Sequence, residues 1–101
     1  MSNARIIRYR TTPDTADENQ RLIEDVYTEL ATSDPGGLRY VTFRLADKVT
    51  FVHVAVLAGG DNPLTRSPAF AAFQKGLAER CVEPPNPSDA TVVGSYRFPT
   101  Q

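Results

Sequence analysis

The sequence predicts an α+β fold, a four-stranded antiparallel sheet with two helices on one face. Three observations predict it. Stretches rich in β-formers alternate with two amphipathic stretches in the order strand, helix, strand, strand, helix, strand. Two β-rich runs, Leu38 to Leu45 and Val49 to Leu57, are separated only by Ala46-Asp47-Lys48, a spacing that demands a hairpin. Both helical stretches carry a single apolar stripe. This is the order of two split βαβ units, the ferredoxin-like pattern, and it predicts one domain over residues 5–98.

Each element has its own signal. Arg5 to Arg10 is short, β-rich and ended by Pro13. Thr15 and Glu18 have the spacing of a capping box, and Leu22, Ile23, Val26, Tyr27 and Leu30 follow at helical intervals until Ser33-Asp-Pro-Gly-Gly37 stops them. Ser67-Pro68 reads as an N-cap followed by proline at the first helical position. That helix is expected over Pro68 to Val82, with Phe70, Phe73, Leu77 and Cys81 on one stripe. Glu83-Pro-Pro-Asn-Pro-Ser88 is then a break, and Ala90 to Phe98 the last strand.

Composition limits the function classes. At 101 residues and a formal net charge of -1, the chain offers no basic surface for nucleic acid. No apolar run approaches the ~20 residues of a membrane span, and the first residues lack a signal peptide's apolar core. The single cysteine, Cys81, cannot form an internal disulfide, which suits a reducing cytoplasm. With one histidine and no second ligand nearby, neither a metal nor a cofactor is expected.

If Asp47 and Lys48 form the hairpin turn, residues whose numbers sum to 95 are paired. One face then carries Val41 with Val54, Phe43 with Val52, and Leu45 with Thr50. The other carries Tyr40 with Ala55, Thr42 with His53, and Arg44 with Phe51. A one-residue slip would scramble both sets, so the clean sorting favours this register. The first face, nearly all apolar, is expected under the helices. The second, mixed face is then left open with Leu38, Tyr40, Phe51, Ala55 and Leu57, and a second copy of the sheet is expected to cover it in a homodimer.

Three segments resemble the antibiotic biosynthesis monooxygenase-like family of the dimeric α/β-barrel superfamily. They are Arg8-Tyr-Arg-Thr-Thr-Pro13 leading into a capped helix, Leu38-Arg-Tyr-Val-Thr-Phe43, and Ser67-Pro-Ala-Phe-Ala-Ala-Phe73 opening the second helix. The resemblance runs from Arg5 to Phe98 and implies a dimeric α/β barrel. Its functional range covers cofactor-free oxygenases of polyketide phenols or quinols, haem-degrading enzymes, aldehyde- and lactone-handling enzymes and many uncharacterised dimers. The haem-degrading branch pairs a Trp with an Asn and an axial His on the second helix. This chain has no Trp, and its second helical stretch has no His, so haem degradation is not expected.

His53 is the main candidate for chemistry. An imidazole is a general base or hydrogen-bond donor near neutral pH, and the bland alternative is a core histidine bonded to Thr42 or a carbonyl. Tyr40 on the same face is positioned to orient a phenol or carbonyl, and Arg44 to hold an anion; as interface residues they need no ligand at all. Arg8, Thr42 and Phe51 complete the expected ligand contacts, with Arg8 and Arg10 pointing the same way from the first strand. Their bland role is a rim ion pair, and Tyr96 on the last strand is open between site and surface. Cys81 reads as core, Gly59-Gly60-Asp61 as a turn, and Glu79 and Arg80 as the solvated side of their helix. The expected function is binding of a small apolar or aromatic molecule. The alternative is cofactor-independent monooxygenation or isomerisation of an aromatic or enolic substrate.

Overall fold

The computed structural model describes residues 3–59 and 62–96. Its elements are β1 (Asn3–Thr11), α1 (Ala16–Ser33), β2 (Leu38–Arg44), β3 (Thr50–Leu57), a 3-10 turn (Pro63–Arg66), α2 (Pro68–Gln74), α3 (Leu77–Arg80) and β4 (Cys81–Thr91). The sheet is antiparallel in the order β2-β3-β1-β4, the ferredoxin-like arrangement expected from the sequence.

The hairpin register is the expected one: Tyr40 pairs with Ala55, Thr42 with His53 and Arg44 with Phe51. Its turn differs. Leu45 N–H donates to the Thr50 carbonyl, four residues loop between them, and Lys48 takes φ 68°. The Asp47 carboxylate accepts from the Val49 and Thr50 amides, which ties the loop together where no glycine stands.

The helices lie on the opposite face from the one the sequence suggested. The core beneath them is built on Tyr9 and Phe51 from the sheet, Ile23 and Val26 from α1, and Phe73 and Leu77 from α2 and α3. Pairing of Tyr9 with Phe51 and of Ile7 with His53 places all four on this covered face. The open face carries Ile6, Val41, Val52 and Val54, only partly buried, and Phe43, 42% exposed. Leu38, Tyr40, Phe51, Ala55 and Leu57 therefore lie on the helix-covered face, not on a surface awaiting a partner. Both faces are apolar enough to be covered, so hydrophobicity alone could not tell which one the helices take.

The second helix is shorter than expected. The Ser67 hydroxyl accepts from the Phe70 amide and starts it as the sequence indicates. Gly76, at φ 80°, turns the chain between α2 and α3, a conformation that favours glycine. The strand then begins at Cys81, which is its first residue and not part of a helical stripe. The stretch read as a proline break is the strand itself. It tolerates Pro84, Pro85 and Pro87 because β4 lies at the sheet edge, where an outward N–H is dispensable. Residues 92–96 lie beyond the sheet, with Tyr96 exposed, and 97–98 of the expected last strand fall outside the described residues.

The capping box is not formed. The Thr15 hydroxyl instead bonds to Thr12 and to the Arg80 carbonyl, tying the start of α1 to the junction of α3 and β4. A second tie joins the helices, where the Glu29 carboxylate accepts from the Ala69 amide at 3.0 Å.

Candidate functional site

A cavity of about 500 Å³ opens between the sheet and the α2–α3 segment. That is within the size range of small-molecule sites. Its walls are mostly apolar: Ile7 and Leu57 from the sheet, Leu64 from the 3-10 turn, and Phe70, Phe73 and Leu77 from the helices. Tyr9, Tyr40 and His53 supply a polar patch on its sheet side, and Arg5 lines it too, paired at 2.9 Å with Asp89.

His53 is only 4% exposed and is bonded at both ring nitrogens. Its Nε2 lies 2.8 Å from the Tyr9 hydroxyl. Its Nδ1 lies 2.6 Å from the Tyr40 hydroxyl and 3.2 Å from Thr42 Oγ1. Tyr9 and Tyr40 stack on either side of the imidazole, with ring centroids 5.4 and 5.9 Å away, and Phe73 leans over it at 5.3 Å. Desolvation lowers the pKa of His53 from 6.5 to about 4, so the ring is neutral at physiological pH. The same burial pushes both phenols well above their ordinary range.

The sequence reading and the structure divide over the other candidates. Tyr40 and His53 meet at the cavity wall. Thr42 stands behind them, bonded to His53 and, at 2.7 Å, to Tyr27. Arg44 is elsewhere. It points to the far end of the hairpin, where it holds Asp17, Gln20 and the Lys48 carbonyl and lies over Phe51. Phe51 is a fully buried core residue stacked on Tyr9, outside the cavity wall. Arg8 shares the open face with Arg10, because its neighbour Ile7 is the one paired with His53. The rim ion pair is made by Arg10, 3.4 Å from Glu83.

Three residues at or behind the cavity are not among the site residues expected from the sequence: Tyr9, Asn19 and Arg80. Asn19 is 0% exposed and donates to the Tyr9 hydroxyl at 2.9 Å. Arg80, read as solvated, is 6% exposed, and its Nε donates to Asn19 Oδ1 at 3.0 Å. A signal for Asn19 existed. It lies on the buried stripe of α1 with Ala16, Ile23 and Val26, and an amide at such a position needs an interior partner. Arg80 carried no such signal, because it becomes buried only when the helix ends at Gly76 and restarts.

No family model and no curated protein matches the sequence. Solved structures do match in fold. Rv0793 from Mycobacterium tuberculosis superposes with a TM-score of 0.73 at 18% identity, over 94% of this chain and 98% of that one. A Nitrosomonas europaea protein bearing the antibiotic biosynthesis monooxygenase name gives 0.75 at 14% identity, over 99% and 94%. A variant of SnoaB, a cofactor-independent oxygenase from Streptomyces nogalater, gives 0.68 at 17% identity, over 93% and 95%. The chain thus has the fold of the antibiotic biosynthesis monooxygenase-like proteins, as the sequence resemblance implied. At these identities the likeness concerns architecture, and activity has to be argued from the site.

Proposed function

We propose that the protein binds a small apolar or aromatic molecule in the cavity between its sheet and the α2–α3 segment, with a polar group of the ligand at Tyr40. The observation that carries this is an apolar enclosure of about 500 Å³ with a hydroxyl–imidazole–hydroxyl group at one side. Apolar walls supply affinity and a few placed polar groups supply orientation. A thermal-shift panel of aromatic ketones and phenols tests it. A binder at a free concentration about 100 times its Kd should stabilise the fold by about 2.7 kcal/mol. Ala55→Phe, which fills the cavity from the sheet side, should fold and lose that response. A binder that stabilises Ala55→Phe equally is bound somewhere else.

The second reading is cofactor-independent oxygenation of an aromatic or enolic substrate, which SnoaB's name associates with this fold. A proton path through Tyr40 and His53 supports it. A histidine neutral down to about pH 4 is a weak base at neutrality, and this favours the binding reading. Dioxygen uptake on adding the bound compound, with no cofactor supplied, separates the two.

The protein is further proposed to be a homodimer, closed by the open sheet face and working in the cytoplasm, where its free Cys81 suits a reducing medium. Ile6, Val41, Phe43, Val52 and Val54 form the apolar centre of that face, and Arg8 and Arg10 lie beside it. A two-fold axis would set this centre against its own copy. Val54→Glu puts a carboxylate in the middle and should convert a dimer to a monomer in native mass spectrometry. A wild-type monomer at micromolar concentration defeats the proposal.

A further inference from the structure

Hydrogen bonds have a direction, and a guanidinium only donates. Arg80 donates through Nε to Asn19 Oδ1 at 3.0 Å, and through its terminal nitrogens to the carbonyls of Phe73 and Lys75 at 2.6 and 3.4 Å. The Asn19 oxygen is thereby committed as acceptor, since the reversed amide would set N–H against N–H. Its Nδ2 then donates to the Tyr9 hydroxyl. Tyr9 keeps one proton of its own to place, and the acceptor set against it is His53 Nε2 at 2.8 Å. Nε2 is therefore the bare nitrogen, and a neutral ring must carry its hydrogen on Nδ1. Nδ1–H faces the Tyr40 hydroxyl at 2.6 Å, with Thr42 Oγ1 further off. Tyr40 accepts, and its own proton remains to be donated, either to the Thr42 hydroxyl beside it or into the cavity it lines.

We propose that Arg80 and Asn19 are positioning residues that fix His53 as the Nδ1–H tautomer and so leave Tyr40 a proton that it can turn from Thr42 to an acceptor in the cavity. The consequence for recognition rests on the ligand-binding reading above. The site would select a molecule that brings an acceptor oxygen, such as a carbonyl or an enolate, to Tyr40. The tautomer itself is independent of any ligand. Burial supports the chain by keeping its three titratable members, Tyr9, His53 and Tyr40, uncharged. The side chains facing the imidazole are Tyr9 from β1, Tyr40 and Thr42 from β2, and Phe73 from α2.

His53 is the only histidine, so a chain labelled with ¹⁵N-histidine gives the signals of a single imidazole. At slightly alkaline pH, a long-range proton–nitrogen correlation should show Nδ1 protonated and Nε2 bare. Asn19→Asp should reverse the chain. A carboxylate accepts from Arg80 and from the Tyr9 hydroxyl alike. Tyr9 must then accept from Nε2–H, and the two ring signals exchange character. A merely structural Asn19 would leave them where they were. Should Asn19→Asp not fold, Tyr9→Phe is the second variant. Without the hydroxyl that holds Nε2 bare, the single tautomer should be lost. A wild-type ring protonated on Nε2, an averaged wild-type ring, or an unchanged tautomer in a folded variant overturns the proposal. Each of these readouts needs no ligand, so a protein that binds nothing in the cavity fails the binding reading while leaving this result intact.

Discussion

Acidification from pH 6.5 to 4 is expected to cost the folded protein about 3 kcal/mol through one side chain, His53. An unfolded chain protonates this histidine at about its ordinary value of 6.5, whereas the folded chain resists until about 4. Between those values the unfolded state binds more protons, so stability falls as pH falls. Above 6.5 neither state holds the extra proton, and below 4 both do, so the contribution is flat outside the window. The physical cause is burial: an imidazolium would sit between Tyr9 and Tyr40 under Phe73, with no carboxylate of the described residues bonded to it. Urea denaturation across the pH range measures it, with His53→Gln as the control. The variant should be less stable at pH 7 but should lack the part of the acid slope due to His53. Parallel slopes for the two proteins would mean that carboxylates elsewhere account for the whole acid loss.

Phe51→Ala is expected to lower stability by about 3–5 kcal/mol, the range for removing a buried aromatic ring. Phe51 is 1% exposed, stacked against Tyr9 at 5.6 Å, with the Arg44 guanidinium over its ring. Its loss should lower the denaturation midpoint with little change in slope, since the surface exposed on unfolding barely alters. In a domain of this size that is a large share of a total near 5–15 kcal/mol. A second effect should follow in the site. Tyr9 rests on Phe51, so the Tyr9–His53 bond loosens, and the ring signals of His53 should broaden even in the residual folded protein. A loss below about 1 kcal/mol would show that the hairpin end collapses onto the space without strain.

Much of this architecture was legible in the sequence, for reasons that can be named. The sum-to-95 register was readable because a sheet's period of two sorts side chains cleanly. It placed His53 beside Thr42 and on the same face as Tyr40. Which face the helices cover was not readable. The interior surface is the one that carries the polar chain, so the apolar face looked like the better core. Arg44 and Phe51 share His53's face but lie further along the hairpin, beyond the cavity, and face alone does not give position along a strand. The second helix was overestimated because Gly76 interrupts a stripe that continues beyond it, and the prolines of β4 mimic a loop. Arg80 was misplaced with that helix. Tyr9 was readable only once the register of β1 against β3 was known.

The three prolines of β4 have a consequence for how copies of this chain meet. A free sheet edge is a template on which another chain can add a strand, and repeated addition leads to fibrils. Pro84, Pro85 and Pro87 carry no amide donor, so β4 offers an incoming strand fewer N–H groups than another strand of its length would. Growth sideways from β4 is therefore disfavoured. β2 is the other edge of the sheet, and the proposed face-to-face dimer, whose contact closes in a pair, would need neither edge.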